Sequence, residues 1–402
     1  MRLLIKRKYK LAQIAQLLLL FFVSLNFKNL YFYLIFLTFF VCLLANIKQF
    51  KIDAVSICLA LLSVCYILFY PPTRDSITTI LKQFAFPMCY LIGLNLFDAN
   101  NNNMIKEKSN ADDQLKLSII VVAFGTLLHY LLNASINIGS LLRNTVDYWT
   151  GDVVSATDQA LLAIIAICVF SIWLFGDYSV WKRLIASLGL VLIFAYNFVL
   201  AGRTILLMSA IIMCVAFLFI RKHINPDAQI KSYLFVFGIV LTALLLVLNN
   251  VGGMRDWIMN SNFSQRFETQ EIVEDIRFER KISYVIHMIK FPFGGGALKA
   301  YVGGYAHELY LDVFSDVGIV GYLLVIAVVV ITVINVIKFI KMKDFAIDTK
   351  AMVLCVFMGI NIVFFLEPIL QGEPWFFCVF CFLSGALRKN LLIKKQIEQE
   401  WS

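Results

Sequence analysis

The stretch IVGYLLVIAVVVITVINVIKFI, residues 319–340, carries no charged side chain before Lys338. A helix needs about twenty apolar residues to cross a hydrocarbon core of roughly 30 Å, and a spanning segment must satisfy its main-chain polar groups within itself. Residues 319–340 meet both demands. Working outward, comparable runs cover 11–26, 30–46, 53–70, 78–97, 117–135, 158–176, 184–201, 203–220, 232–250, 349–367 and 374–388. The expected fold class is therefore an all-α integral membrane protein with about twelve transmembrane helices and one large outer loop containing short helices. Composition agrees: 61% of the 402 residues are hydrophobic and the mean hydropathy is +0.82, more apolar than a water-soluble surface permits.

Charge gives the orientation. Loops retained in the cytoplasm are enriched in Lys and Arg. With the basic start (Arg2, Lys6, Arg7, Lys8, Lys10) inside, most of the 35 basic residues fall on that side, among them Lys106, Lys108, Lys182, Arg221, Lys222, Lys341 and Lys343. Few cations fall in the short outer loops: Lys28, Arg74, Lys82, Arg143 and Arg203. Both termini are thus expected in the cytoplasm, with the basic start kept as a first helix rather than cleaved as a signal. The net charge of +9 then complements an anionic inner leaflet instead of nucleic acid. All nine cysteines lie in expected spans, and the pair Cys378 and Cys381 lacks the further ligands of a zinc site, so packing is the better reading.

The chain divides into 1–250 (nine spans with short loops), 251–318 (the large outer loop) and 319–402 (three spans and a cytoplasmic tail). The loop is acidic early, at Glu268, Glu271, Glu274 and Asp275, and basic late, at Arg277, Arg280, Lys281, Lys290 and Lys299. Within it, RFERKISYVIHMIKFP (277–292) places Ile282, Val285, Ile286 and Ile289 at helical spacing, which predicts an amphipathic helix ending before Pro292 and three glycines. A second outer loop, 137–159, holds Asp152 and Asp158. Asp158 is also well placed to cap the next helix.

In YAHELYLDVFSDVGIVGYLL (305–324), His307 and Glu308 open a short helix, and Asp312 and Asp316 follow at i+4 and i+8. This segment resembles the motif of the O-antigen polymerase and O-antigen ligase superfamily: His, then Asn, Ser or Gln, nine residues, Gly, two residues, and Gly or a similar residue. His307, Gly318 and Gly321 fit it, and Glu308 departs from it. Arg203, in FVLAGRTILLMSAII, matches the family's Arg at the outer end of a span. Arg277, ahead of Pro292, and Arg280, fifteen residues ahead of Gly296, match its loop arginines. The motifs cover about residues 155–330.

The resemblance implies a metal-independent membrane glycosyltransferase in the bacterial cytoplasmic membrane that needs no cofactor. Its donor is an oligosaccharide on a polyprenyl pyrophosphate, its acceptor a glycolipid, and a chain-length regulator is a further partner in the family. Arg203, Arg277 and Arg280 become pyrophosphate ligands, because a guanidinium fork pairs with phosphate oxygens and keeps its charge. His307 becomes the general base, with Glu308 beside it, or alternatively a pyrophosphate ligand while Glu308 or Asp312 takes the proton. Asp312 and Asp152 are secondary candidates for sugar contact. The departure at Glu308 favours a repeat-unit polymerase over a ligase that transfers to lipid A-core. A flippase of lipid-linked glycans is the reading from another class; it calls for ionisable residues at mid-membrane, where these spans have almost none. The bland alternatives are a snorkelling Arg203, loop arginines paired with Glu274 or Glu279, and a capping or packing His307.

Overall fold

Long apolar runs fold as helices because, in lipid, only an internally bonded backbone escapes the penalty of unpaired polar groups. In the computed structural model, which describes residues 14–45, 47, 50–70, 76–95, 104–137, 145–200, 202–260, 276–343 and 345–401, eight helices are long and apolar enough to cross a membrane. They are Asp112–Asn137, Ala156–Phe175, Val180–Leu200, Arg203–Arg221, Pro226–Leu248, Leu309–Lys341, Ile347–Phe364 and Pro374–Gln396. The chain is thus a multi-pass membrane protein. Four shorter apolar helices, Ile14–Ser24, Tyr31–Leu44, Ala54–Phe69 and Thr79–Leu94, lie where the first four of the twelve expected spans were placed. For residues 45, 76, 78, 104–111, 160, 257, 276, 277 and 397–401 the backbone alone is described.

The chain forms two compact units. One holds residues 1–121, 274–345 and 361–402, the other 122–273 and 346–360. In the first, helices Ala85–Leu94 and Pro374–Trp401 approach through glycines. A Cβ on Gly93 would lie 2.2 Å from the Phe382 carbonyl oxygen, and one on Gly385 would lie 2.1 Å from that of Tyr90. Small residues of this kind let helices approach where lipid supplies no hydrophobic drive for association. Asp53 caps helix Ala54–Phe69 by accepting the Ser56 N–H at 3.1 Å, and the same carboxylate takes the Tyr90 hydroxyl at 2.8 Å and Arg388 Nε at 3.4 Å.

In the second unit, a hairpin pairs Thr145 with Val154 and Val146 with Val153. A buried polar network holds it. Asp147 meets His129 Nε2 at 2.6 Å and accepts the N–H groups of Trp149 and Thr150 at 2.9 and 3.0 Å, while Asn137 accepts the Val146 N–H at 2.9 Å. Burial opposes the charge on Asp147, yet His129 and those N–H groups hold its carboxyl down at about 2. Ser155 and Asp158 form a capping box at the start of Ala156–Phe175, which gives Asp158 its helix-capping role.

The long helix Leu309–Lys341 is broken at Gly318, whose φ of 74° and ψ of −169° belong to a region that glycine alone adopts readily. The break separates a short helix, 309–317, from the apolar span. On it docks the end of the long loop: Gly295 N–H donates to Asp316 O, Gly296 N–H to Ser315 O and Ile319 N–H to Pro292 O, each at 2.9 Å. The loop's amphipathic helix runs from Ile276 to His287, and a further short helix from Ala297 to Val302. Tyr284, Leu298, Ala306, Leu311 and Phe314 form their common core.

Candidate active site

The turn Gly303–Glu308 is the centre of the site, because it is held from three directions. From below, Asp312 reaches back from the first turn of the short helix. Its Oδ1 accepts the Ala306 N–H at 2.7 Å and its Oδ2 the Glu308 N–H at 3.0 Å. These two amides flank His307, which stands in the left-handed region at φ 58°, a conformation uncommon for any residue but glycine. Asp312 is fully buried. Its two hydrogen bonds fix the main chain on either side of His307.

The Ile276–His287 helix holds the turn from a second direction. Tyr284, fully buried, donates its hydroxyl to the Gly304 carbonyl at 2.8 Å. One turn earlier, Arg280 lays its guanidinium over Gly304: a Cβ there would sit 2.9 Å from Nη1 and 3.0 Å from Cζ. Gly304 supplies the room, and its φ of 156° is tolerated for the same reason. Between the two, Lys281 places its ammonium 3.4 Å from Glu308 Oε2 and donates to the Phe365 carbonyl at 2.8 Å. Burial pushes the Glu308 carboxyl up, and Lys281 draws it only part of the way back.

The third direction is the Ala297–Val302 helix. Its Lys299 N–H donates to Ser315 Oγ at 3.0 Å, and its ammonium sits 3.5 Å over the Tyr305 ring. Lys299 is also the cation that acts on Asp316, whose carboxylate accepts from Gln371 Nε2 at 2.6 Å. Burial raises the phenols of Tyr284 and Tyr305 well above their ordinary range, so both remain neutral hydrogen-bond donors.

Of the residues expected from sequence, Arg280, His307, Glu308 and Asp312 come together around this turn. Arg277 stands in the first turn of the Ile276–His287 helix, and its side chain lies outside the described residues. Arg203 is exposed at the start of Arg203–Arg221, and Asp152 is exposed in the hairpin; both belong to the second unit. The loop's acidic residues Glu268, Glu271, Glu274 and Asp275 lie outside the described residues. Sequence reasoning passed over the Lys281–Glu308 pair, Lys299 on Tyr305, and Gln371 on Asp316. Only the first had a visible signal, two opposite charges in one loop. Chemically, the arrangement brings an arginine and two lysines, which suit an anion, around the turn that carries His307 and the half-buried Glu308. No protein-family model matches this chain, and no curated protein does.

Proposed function

We propose that the protein is a glycosyltransferase of the O-antigen polymerase type, acting in the bacterial cytoplasmic membrane on polyprenyl-pyrophosphate-linked oligosaccharides. The observation that carries this reading is the seating of the Arg280 guanidinium on Gly304, within the turn that presents His307. An acceptor hydroxyl attacks the anomeric carbon of the donor sugar. The sugar–oxygen bond breaks, and the polyprenyl pyrophosphate leaves with the electron pair. Arg280 stabilises the charge gathering on the leaving group, as a fixed cation does best when pre-positioned. His307 takes the hydroxyl proton; a histidine titrates near neutral pH, and such a base is typically worth about 10² to 10⁴ in rate. Glu308, adjacent and paired with Lys281, tunes the local field.

Complementation of a polymerase-deficient strain tests the reading. His307→Ala and Arg280→Ala are each expected to abolish long glycan chains while single lipid-linked repeats still reach the outer leaflet. Repeats trapped inside would support the flippase. A deletion that leaves one repeat on the core identifies a polymerase, whereas bare core with accumulated lipid-linked polymer identifies a ligase.

A further inference from the structure

The Ile276–His287 helix has two apolar arcs, and among the described residues only one is packed. On one side Tyr284 and, just beyond the helix, Met288 pack into the loop core with Leu298, Leu311 and Phe314. On the opposite side Phe278, Ile282, Val285 and Ile286 recur every three or four residues, and the series continues through Ile289 and Phe293. Each of these six is exposed, Ile289 to 85% and Phe293 to 75%. A contiguous stripe of large apolar side chains does not persist against water without a partner.

Three observations say what covers it. First, the stripe is continuous with a membrane-facing surface: Phe293 lies on the segment whose Pro292 carbonyl accepts the Ile319 N–H. Ile319, Val320 and Leu323, all exposed, then begin the flank of the apolar span. Second, the helix stands only a docked turn away from that span, through Gly295 and Gly296 on residues 315 and 316. Third, the exposed Lys290 borders the stripe, where an ammonium meets headgroup phosphate while the apolar arc enters the acyl boundary.

We propose that this helix is an interfacial anchor, lying in the plane of the membrane with the stripe Phe278 to Phe293 seated in the leaflet at the Gly318 end of the span. Its second arc then holds Arg280 and Lys281 at headgroup height. This proposal stands independently of the glycosyltransferase reading.

The test is nitroxide accessibility in the full chain, reconstituted into phosphatidylethanolamine–phosphatidylglycerol vesicles. Labels are placed through Ile286→Cys and, separately, Ile289→Cys, on a Cys58→Ala, Cys214→Ala background whose residual labelling is subtracted. Leu323→Cys supplies the lipid reference and Lys343→Cys the aqueous one. The expected result is an oxygen-to-nickel-chelate accessibility ratio close to that of Leu323→Cys and severalfold above that of Lys343→Cys. A ratio matching Lys343→Cys means the stripe faces water, and protection from both reagents means another protein covers it. Either result overturns the proposal, and neither depends on transferase activity.

Discussion

Lys281 and Glu308 meet at 3.4 Å, and the same ammonium holds the carbonyl of Phe365 at 2.8 Å, so one lysine ties the loop helix, the His307 turn and the 361–402 segment together. Glu308 is raised by burial despite that cation. A carboxyl raised in the folded state contributes its full stability below the unfolded value of 4.5 and loses it as pH climbs through the folded value. Lys281→Met removes the opposing charge. Its thermal stability is expected to fall more steeply than that of the parent as pH rises above the unfolded value of 4.5, and Glu308→Gln should flatten the curve again. Unfolding in detergent across that range measures both; parallel curves for parent and Lys281→Met would count against the pairing.

Asp312→Ala would leave the N–H groups of Ala306 and Glu308 without their acceptor. Each buried, unsatisfied donor costs about 1–3 kcal/mol, so the substitution should lower stability measurably and abolish glycan polymerisation together. Asp312→Asn keeps one carbonyl acceptor and should retain more of both. The complementary variant is His307→Gly. It relieves the left-handed backbone and is expected to raise stability by about 1 kcal/mol while ending transfer.

Arg280→Lys keeps the charge but loses the planar fork. Transfer should drop by about a hundredfold or more, with the unfolding temperature nearly unchanged, as read from glycan gels and thermal scans on the same preparation. Gly304→Ala should reproduce the loss by pushing the guanidinium aside, since the new Cβ would sit 2.9 Å from Nη1.

Gly318→Ala puts a Cβ 2.5 Å from the Pro292 carbonyl oxygen at a φ of 74°. Strain on the order of 3 kcal/mol is expected, released by undocking of the loop. Limited proteolysis between residues 276 and 308 should then cut the variant much faster than the parent.

Asp147 has its folded value lowered to about 2. Its contribution to stability is present above the unfolded value of 3.8 and disappears as pH falls toward about 2. Asp147→Asn should therefore remove part of the acid-limb loss of stability seen in the parent below about pH 4, a comparison made by acid titration monitored by tryptophan fluorescence.

Much of the fold was legible because a membrane imposes one simple rule: length and apolarity mark the spans at Val180–Leu200, Pro226–Leu248 and Leu309–Lys341. The helix at Ile276–His287 and the stop at Pro292 were legible from periodicity and from proline chemistry. The site was legible only in its residue types. Asp312 could be seen to follow Glu308 by a helical turn, yet its reach back to two main-chain amides depends on the left-handed turn at His307, which no local propensity announces. The pairing of Gln371 with Asp316 joins positions 55 residues apart, and the docking of Gly295 on Asp316 is made by main-chain atoms whose partner the sequence does not name.

That last contact also bears on how the protein can change. The clasp between loop and span consists of three amide-to-carbonyl links and the bare backbone of Gly294 and Gly318, so it is made by main-chain atoms alone. Exposed side chains on the loop, such as Tyr301, can be exchanged while the clasp stays shut, which makes the loop a natural place to alter binding preference by design.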